Sequence, residues 1–427
     1  MQALDKNKLS EQYRFIEKWK SFNARGSLEA CTGFGKTTVG LLAIHEMNTN
    51  HPERITHVVV PTFALKQQWE EAVLEWKLLN VSVWIINTYI QEVRYTNLLI
   101  LDEIHRFGSN TFKLVFLKSR FNFILGLTAT LERQDGMHSL IHMYAPLLTR
   151  IRLNEALEKG YVSSFEVYNL GITLSKPEFE YYENIQKQFD SHFQIFDNDF
   201  NLVKRIMSES QLRVQFGLER GMTSSEVYYH ALQFSKFLHL RKTFLNEAPA
   251  KIQAVKQIRE LLNRKMIVFC ETTSFADQIV EALGSISFAY HNAISDKKAM
   301  KQQLQDFKNG TGNHQVIVAV KAIEEGLDVP DIEVAVIVSG NSTKRQYIQR
   351  MGRSLRIRPG KTAIIINTYL HGTKDEYWLR RRQDENSGNV QWIESVAEIN
   401  TIHDGQPKRS ESYQYHNSDW NGAEADL

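Results

Sequence analysis

Two zones of short apolar runs constrain the fold of this chain more than any other feature of its sequence. Each zone contains runs that are dense in Val and Ile and lack polar alternation, which is typical of strands buried on both faces of a parallel sheet. Between the runs, apolar residues recur at helical spacing, as in Lys251–Asn263. The sequence therefore predicts an α/β fold with two parallel sheets in series. The runs are Ser27–Ala30, Thr56–Val60, Ser82–Ile86, Asn97–Leu101 and Phe121–Leu127 in the first zone, and Met266–Phe269, Ile286–Tyr290, Val316–Val320, Val334–Val338 and Ala363–Ile366 in the second.

The 427 residues divide into segments of different texture, and that length suits two or three domains. Residues 1–153 and 245–400 carry the two zones, and we expect one lobe from each. Between them, residues 154–175 form an expected connector, and residues 176–244, rich in aromatic and polar side chains, predict a helical insertion. Residues 401–427 are polar and lack periodicity, which predicts a flexible tail.

Composition excludes several classes of protein. Charged residues make up 23% of the chain and hydrophobic residues 42%, which excludes wholesale disorder. The two cysteines, Cys31 and Cys270, are far apart in the sequence, so neither a disulfide scaffold nor a structural zinc is expected. No apolar run has the length of a signal peptide or membrane span, which predicts a cytoplasmic protein, in the host cytoplasm if it is phage-encoded. His138 and His142 form one H-x-x-x-H pair without a zincin glutamate, which favours two histidines on a helix face over a metal site.

Net charge says little about partners. Lys and Arg number 51 against 49 Asp and Glu, so any nucleic-acid partner would have to bind to local patches. Basic residues cluster in Lys344–Lys361 and in Lys236–Lys242, and the latter mixes bases with aromatic residues, as single-strand binders do. A helix with an apolar stripe and a solvated basic face explains Lys236–Lys242 equally well. The Arg380–Arg382 triplet is of a kind that is usually solvated.

A glycine-rich segment, Ala30-Cys31-Thr32-Gly33-Phe34-Gly35-Lys36-Thr37, is the sharpest chemical signal. It follows an apolar run and precedes a helical pattern, which is the strand–loop–helix context of a phosphate-binding loop. In such a loop the glycines let backbone N–H groups converge on phosphates at the positive end of a helix. Lys36 would reach the β- and γ-phosphates, and the Thr37 hydroxyl would ligate Mg²⁺. A chance glycine-rich turn is the alternative.

Two acids at the end of an apolar strand, Asp102 and Glu103, form the second signal. Asp102 could hold Mg²⁺ opposite Thr37, and Glu103 could polarise an attacking water as a general base. Alone, such a pair is usually a solvated strand end. Downstream of a phosphate-binding loop in the same α/β zone, it predicts the other half of a nucleotide site.

Two arginines in the second zone, Arg353 and Arg356, form the third signal. They stand three residues apart in QRMGRSLR and would face one way on a helix. Their planar guanidinium groups suit the charge that develops on a phosphoryl group in transfer. A basic, solvated helix face is the alternative.

Five motifs resemble, in order and placement, those of the superfamily 2 helicases and translocases. The resemblance covers roughly residues 10–370. ACTGFGKT resembles motif I, DEIH motif II, Thr128–Thr130 motif III, Ala322–Pro330 motif V and QRMGRSLR motif VI. The resemblance implies two tandem RecA-like lobes, ATP and Mg²⁺ as cofactors, and DNA as a partner in the groove between the lobes.

Finer features resemble the XPB- and UvsW-like branch, in the compact, phage-type form that acts on branched DNA. Thr128–Gly136 resembles the TAT…RED element of that branch, with Gln134 in place of the middle acid. Asn154–Gly160 also has the XPB-like pattern, and the insertion resembles a helical thumb. Asn87–Tyr89 is similar to motif Ib, and motif V is similar to that of RecG-type fork remodelers.

The resemblance also implies roles for individual residues. Catalysis would fall to Lys36, Asp102, Glu103, Gln349, Arg353 and Arg356, the arginines acting as fingers in cis. The nucleotide would be bound by Gln12, Thr32, Gly33, Gly35, Lys36, Thr37, Thr38, Gly326 and Asp328, and the metal by Thr37 and Asp102. Nucleic-acid contacts, mostly to phosphate, are expected from Pro61, Thr62, Gln68, Thr88, Arg133, Thr272 and Lys321. A threonine after a strand could instead cap a helix. His105 is expected to hydrogen-bond Thr128 or Thr130 rather than to ligate a metal.

Taken together, these residues predict an ATP-dependent DNA helicase or translocase that unwinds or remodels forked or branched DNA in replication, recombination or repair. A double-strand translocase that does not separate strands and an RNA helicase are alternatives within the same class. An ATP-gated nucleic-acid clamp is the alternative from another class, and the intact Glu103 and both arginines argue against it. The direction of movement, 3′→5′, is implied by the resemblance alone.

Overall fold

A computed structural model of the chain organises its described residues around two parallel sheets. The described ranges are 3–31, 33–109, 111–131, 136, 138–162, 165–320, 332–339, 363–383 and 390–401. Motifs V and VI, the tail from residue 402 onward and residues 132–135 of the TAT…RED-like element lie outside them. Two tandem α/β lobes with parallel sheets, as predicted from the two zones, are confirmed.

The first zone forms a six-stranded sheet. Its strands are β1 (Arg25–Ala30), β2 (Thr56–Val60), β3 (Val81–Ile85), β4 (Arg94–Asp102), β5 (Ser119–Thr128) and β6 (Leu147–Ile151). They lie in the order β3-β2-β4-β5-β1-β6, and their pairings are parallel. The accompanying helices are α1 (Ala3–Ser21), α2 (Lys36–Asn50), α3 (Phe63–Glu75), α4 (Ile86–Tyr89), α5 (Leu114–Lys118), α6 (His138–Tyr144) and α7 (Leu153–Glu158), with a 3₁₀ turn at Ile104–Gly108. Parallel pairing brings the carboxyl ends of these strands to one edge, which is where ligands bind in open α/β sheets.

The second zone forms a seven-stranded sheet. Its strands are β7 (Phe165–Ile172), β8 (Met266–Cys270), β9 (Ser287–Tyr290), β10 (Val316–Val320), β11 (Val334–Ile337), β12 (Ala363–Leu370) and β13 (Val390–Ile393). They lie in the order β13-β7-β12-β11-β8-β10-β9, again with parallel pairings. The helices are α12 (Pro249–Leu262), α13 (Thr273–Leu283), α14 (Lys297–Asn309), α15 (Lys374–Gln383) and α16 (Glu398–Thr401), with a 3₁₀ turn at Gly284–Ile286.

Four helices fill the expected insertion: α8 (Lys176–Gln194), α9 (Phe200–Ser208), α10 (Ser210–Arg220) and α11 (Ser224–Glu247). They enclose an aromatic core of their own, which includes Phe189, Phe193, Phe196, Phe216 and Phe234. Arg241, in the basic run of α11, is buried and lies 3.7 Å from the centroid of the Phe189 ring. The interpretation of Lys236–Lys242 as a solvated basic face therefore does not hold for Arg241, because its guanidinium packs inside the insertion.

Three strands of the two sheets, β6, β7 and β13, are not predicted from the sequence. The expected connector 154–175 contains β7 and all of α7 except its first residue, and β7 pairs along its length with β12 inside the second sheet. A polar residue, Asn169, interrupts the apolar pattern of β7. Its side chain is buried and accepts a hydrogen bond of 2.8 Å from Asn367 Nδ2 on β12. Because that partner is 198 residues away, no local pattern reveals that the asparagine suits a buried strand.

Candidate functional site

The glycine-rich loop joins the end of β1 to the start of α2. Gly33 and Gly35 have φ of 89° and 90°, in the left-handed region that favours glycine. Gly35 is also the N-cap of α2, so the loop ends where the positive end of that helix begins. A Cβ at Gly35 would come within 2.6 Å of Gln12 Nε2. The glycines predicted from the motif are therefore required by the backbone.

Side chains from α1 hold this loop from behind. Gln12 is buried, and its Nε2 donates to Phe34 O at 2.7 Å and to Gly35 O at 3.4 Å. Lys8, one helical turn earlier, donates from Nζ to Gly33 O at 3.1 Å. Gln12 thus binds the loop backbone, and its expected role in binding the nucleotide stays a prediction. Lys8 was missed by sequence reasoning, although its i, i+4 spacing from Gln12 puts both on one helix face.

The candidate phosphate-binding lysine, Lys36, lies at the first position of α2. Its Nζ donates to Ala30 O at 3.1 Å, so the ammonium group folds back across the mouth of the loop. Thr37 and Thr38 follow on the first turn and are half-buried. Thr32 lies outside the described residues. The described part of the loop therefore combines left-handed glycines before a helix N-terminus with the ammonium group of Lys36, which are the features that bind a phosphate group.

Asp102 ends β4 and is buried. Its Oδ2 accepts a hydrogen bond of 2.9 Å from Trp69 Nε1, and its Oδ1 accepts one of 3.0 Å from Glu103 N. Burial, and secondarily the charge of Glu103, raise the pKa of Asp102 to about 6, while the Trp69 hydrogen bond and the nearby charge of Lys36 oppose that rise. Trp69 was missed because nothing in the sequence around it indicates that it contacts an acid.

Such a carboxylate fits a divalent cation. A buried acid with an elevated pKa is short of positive charge, which a Mg²⁺ ion would supply. Mg²⁺ is usually held by one or two protein oxygens together with water and phosphate oxygens, so Asp102 and Thr37 would suffice. Among the described residues, no three His, Cys, Asp or Glu side chains come together as they would around a protein-caged metal ion. The donor set therefore matches a metal that arrives with a nucleotide.

Glu103 has a left-handed backbone, with φ of 55° and ψ of 48°. A non-glycine residue in this region costs free energy, and such strain concentrates at functional sites. Its Oε2 lies 3.3 Å from His105 Nδ1, and the same ring nitrogen lies 2.9 Å from Thr128 Oγ1. The predicted hydrogen bond between His105 and Thr128 is confirmed. It connects the acid pair at the end of β4 with the turn at the end of β5.

The turn Thr128–Thr130 is closed by its own side chain. Thr128 is fully buried, and its Oγ1 lies 2.8 Å from Thr130 O and 3.2 Å from Thr130 N. Leu131 N then donates to Glu29 Oε2 at 3.1 Å, across to β1. Glu29 was missed by sequence reasoning, since it is one residue before the motif and its partner is 102 residues away.

The expected nucleic-acid contacts of the first lobe follow β2 and β3, which are adjacent strands with Val60 opposite Ile85. Pro61 and Thr62 come directly after β2, and Thr62 Oγ1 accepts from Leu65 N at 3.3 Å as the N-cap of α3. Thr88 lies exposed on α4, and Gln68 is half-buried on α3. These positions do not test whether the four residues contact phosphate, so the expected contacts remain predictions.

In the second lobe, Thr272 has its hydroxyl engaged twice. It accepts from Phe275 N at 3.3 Å as the N-cap of α13 and donates to Glu247 Oε1 at 2.6 Å. This is the capping role that the sequence left open for such threonines. The other expected residues, Arg133, Lys321, Gly326, Asp328, Gln349, Arg353 and Arg356, lie outside the described residues.

Three further features concern the cysteines, the paired histidines and possible membrane-spanning helices. Cys31 and Cys270 are free and buried, and burial raises the pKa of the Cys31 thiol to about 11, which makes it a poor nucleophile. The His138 and His142 rings are 6.1 Å apart on α6, edge to face. None of the described helices is long and apolar enough to cross a membrane.

Comparison with known proteins adds to this geometry. The model of the helicase conserved C-terminal domain matches residues 250–358, and that of the type III restriction enzyme res subunit matches residues 6–92 and 86–133. Together they span more than half of the chain.

Two relatives and one solved structure illustrate the similarity. The DNA 3′-5′ translocase XPB2 of Sulfurisphaera tokodaii is 28% identical over 386 residues, covering 84% of this chain and 81% of that protein. A protein of a Sulfolobus islandicus filamentous virus is 20% identical over 384 residues, covering 82% of this chain and 62% of its own length. The Pyrococcus furiosus Hef helicase domain superposes with a TM-score of 0.59 at 17% identity, over 86% of this chain and 97% of that domain. The chain spans 55% and 33% of the lengths of two further relatives.

Proposed function

This chain belongs to the superfamily 2 helicases, in their XPB-like branch, and we propose that it couples ATP hydrolysis to movement along DNA. The Sulfurisphaera tokodaii relative, whose alignment covers more than four fifths of both chains, is named a DNA 3′-5′ translocase, which supports DNA as the track and 3′→5′ as the direction. ATP hydrolysis is the reaction common to the family.

The observation that carries the proposal is the convergence of three side chains at the carboxyl edge of the first sheet. Lys36 lies near enough to Asp102 for its charge to oppose the rise in the pKa of that acid. Glu103 follows in a strained backbone conformation that turns its carboxylate toward His105. A chance glycine-rich turn and a solvated strand end would not place a lysine and a buried acid together.

Each of these residues has a distinct role in the proposed reaction. Lys36 would bind the terminal phosphates, and the backbone N–H groups at the start of α2 would bind their oxygens. Thr37 and Asp102 would hold Mg²⁺, which withdraws charge from the phosphoryl oxygens when bound. Glu103 would orient a water molecule and accept its proton, and His105 would keep that carboxylate in place.

The second lobe would complete the site. Arg353 and Arg356 would stabilise charge on the transferred phosphoryl group, Gln349 would lie near the attacking water, and Gly326 and Asp328 near the ribose. A site divided between two lobes is complete only when the lobes close. Closure and reopening in each ATP cycle would then move a bound strand.

The strand would follow the carboxyl edge of the first sheet, past Thr62 and Thr88, and contacts to phosphate would make binding largely independent of sequence. Thr62 offers the N-terminus of α3, whose backbone N–H groups suit a phosphate. Gln68, Pro61, Arg133 and Lys321 would contribute further contacts. We propose forked or branched DNA as the preferred substrate, in replication, recombination or repair.

Glu103→Gln tests the proposed chemistry. The amide keeps the size of the side chain but cannot accept a proton, so we expect the kcat for ATP hydrolysis to fall by about 10²–10⁴-fold. ATP binding should remain. Glu46→Gln is the matched control, since Glu46 is a half-buried residue of α2, away from the loop, whose carboxylate pairs with Lys20 and accepts from Asn50 Nδ2. A turnover in Glu103→Gln equal to that of the control would show that Glu103 is not the base.

A panel of nucleic acids tests the proposed substrate. We expect DNA to stimulate ATP hydrolysis more than RNA of the same sequence, and a labelled strand to be displaced from a fork faster than from a flush duplex. Stimulation by DNA without displacement from any substrate would favour the double-strand translocase. Equal or greater stimulation by RNA would favour an RNA helicase and contradict the proposal.

A further inference from the structure

Thr272, the expected nucleic-acid contact of the second lobe, has its hydroxyl engaged by an acid from the helical insertion. Glu247 is the last residue of α11, and its Oε1 accepts a hydrogen bond of 2.6 Å from Thr272 Oγ1. That length is typical of an O–H group that donates to a charged carboxylate. Within the part of the chain that the structure describes, Glu247 has no ion-pair partner, so its charge is not neutralised there.

The hydroxyl of Thr272 can serve one acceptor at a time, because it carries a single proton. Its oxygen also accepts from Phe275 N at 3.3 Å, as the N-cap of α13, and that contact does not use the proton. A DNA phosphate at this position would need the proton, since phosphate oxygens are acceptors. Glu247 and a phosphate group therefore compete for one donor.

The competition is also electrostatic. The N-terminus of a helix carries partial positive charge and attracts anions. Because Glu247 Oε1 lies 2.6 Å from the N-cap oxygen of α13, its carboxylate is the anion already at that end of the helix. A phosphate that approached Thr272 would meet this like charge, which weakens its binding.

A buried anchor fixes the end of α11 within reach of Thr272. Lys251 on α12 is buried, and its Nζ donates to Leu245 O on α11 at 2.7 Å and to Val338 O at 2.6 Å. Val338 directly follows β11, the neighbour in the sheet of β8, and Thr272 is the second residue after β8. Because the anchor is buried, we expect the side chain of Glu247, rather than α11 as a whole, to turn away when a phosphate binds.

We propose that Glu247 is an internal competitor of the DNA phosphate at Thr272 and so sets the affinity of the second lobe for DNA. This inference rests on the proposed function, because it takes Thr272 as a contact of the DNA strand along which the chain moves. Differences in affinity between related complexes lie mostly in the dissociation rate. Competition at Thr272 should therefore speed release of the strand, which a translocase needs in every cycle.

The experiment compares the full wild-type chain with Glu247→Gln, Glu247→Ala and the control Glu183→Gln. Glu247→Gln removes the charge but can still accept from Thr272, whereas Glu247→Ala also frees the hydroxyl. Glu183 is an exposed acid of α8 in the same insertion, so its variant makes the same change in net charge. The dissociation constant for fluorescein-labelled single-stranded DNA of mixed sequence is measured by fluorescence anisotropy at about 50 mM and about 300 mM salt.

We expect both Glu247 variants to bind the DNA about 5- to 10-fold more tightly than wild type at the lower salt concentration. The gain should shrink at the higher concentration, where salt screens the charge, and Glu183→Gln should stay within about twofold of wild type. In a Thr272→Val background, Glu247→Ala should gain less than in wild type, because the donor for which the two acceptors compete is gone. Urea midpoints are measured in parallel to establish that each variant folds.

Unchanged or weaker DNA binding by both folded Glu247 variants would overturn the inference. An equal gain in Glu183→Gln would also overturn it, because the effect would then belong to net charge rather than to this contact. A merely structural contact would lower the urea midpoint and leave the DNA dissociation constant of the folded protein unchanged, with the same consequence. Failure of the wild-type chain to bind DNA at either salt concentration would instead overturn the proposed function.

Discussion

The hydrogen bond from Trp69 to Asp102 should control how well the site takes Mg²⁺ near neutral pH. Trp69 is fully buried, and its Nε1 donates to Asp102 Oδ2 at 2.9 Å. Trp69→Phe removes this donor, and because the position is buried we expect no solvent water to replace it. A hydrogen bond to a charged group contributes about 1.5–3 kcal/mol, and 1.36 kcal/mol corresponds to one pH unit in a pKa.

The size of the effect follows from the raised pKa. Without the Trp69 donor, the pKa of Asp102 would rise from about 6 to about 7 or 8. At pH 7 the acid would change from about 90% ionised to about 10–50% ionised. Because only the carboxylate binds the cation, the Mg²⁺ concentration for half-maximal ATP hydrolysis should rise about two- to tenfold at pH 7.

The assay is a Mg²⁺ titration of ATP hydrolysis at pH 7 and pH 9, for wild type, Trp69→Phe and Trp76→Phe. Trp76 follows the same helix and packs against the core of the first lobe, which makes it a matched control. At pH 9 the acid is ionised in every variant, so the three curves should converge. A defect of equal size at both pH values, or no defect at pH 7, would refute the reasoning.

Three further perturbations follow from local geometry. Gly35→Ala forces a left-handed alanine against Gln12 and should lower the free energy of unfolding by about 1–2 kcal/mol in urea titrations, with loss of ATP binding. Lys251 and Asp375 form a fully buried ion pair, with Nζ 2.7 Å from Oδ2. Lys251→Met leaves the Asp375 carboxylate without its cation and should lower the free energy of unfolding by about 3–5 kcal/mol in the same assay. The double variant Lys251→Met/Asp375→Asn should recover part of that loss. The pKa of His371 is raised, chiefly by a hydrogen bond to a carboxylate, so its stabilising contribution is complete below about pH 6.5 and is lost as the pH rises through that raised pKa. His371→Gln should flatten the dependence of the urea midpoint on pH above pH 6.5, and unchanged slopes would contradict this.

The two lobes could be predicted because most of their strands are recognisable in the sequence. Runs such as Thr56–Val60 are apolar throughout, since strands covered by helices on both faces have no solvent side. β7 could not be predicted, because its buried Asn169 is stabilised by Asn367 from a distant strand. β6 was missed for a related reason: it is an edge strand with half-buried residues and so lacks a continuous apolar run.

Much of the candidate site could also be predicted, because its functional residues are neighbours in the sequence. A phosphate-binding loop needs its glycines and lysine in one stretch, and Asp102 and Glu103 directly follow a recognisable strand. The residues that hold this machinery were not predictable. Lys8, Trp69 and Glu29 act through tertiary contacts that their residue types do not indicate, and only Lys8 has a sequence signal, its i, i+4 spacing from Gln12.

The central claim is that ATP hydrolysis drives movement of this chain along DNA, and displacement of a roadblock tests it most directly. Streptavidin is bound to one end of a DNA strand, or a third strand is annealed as a triplex on a duplex, and its release is followed after ATP is added. We expect wild-type chain to release the roadblock with ATP and Mg²⁺, but not with a non-hydrolysable analogue, and Glu103→Gln to fail with ATP. Hydrolysis of ATP that is stimulated by DNA, yet releases neither roadblock, would contradict the claim.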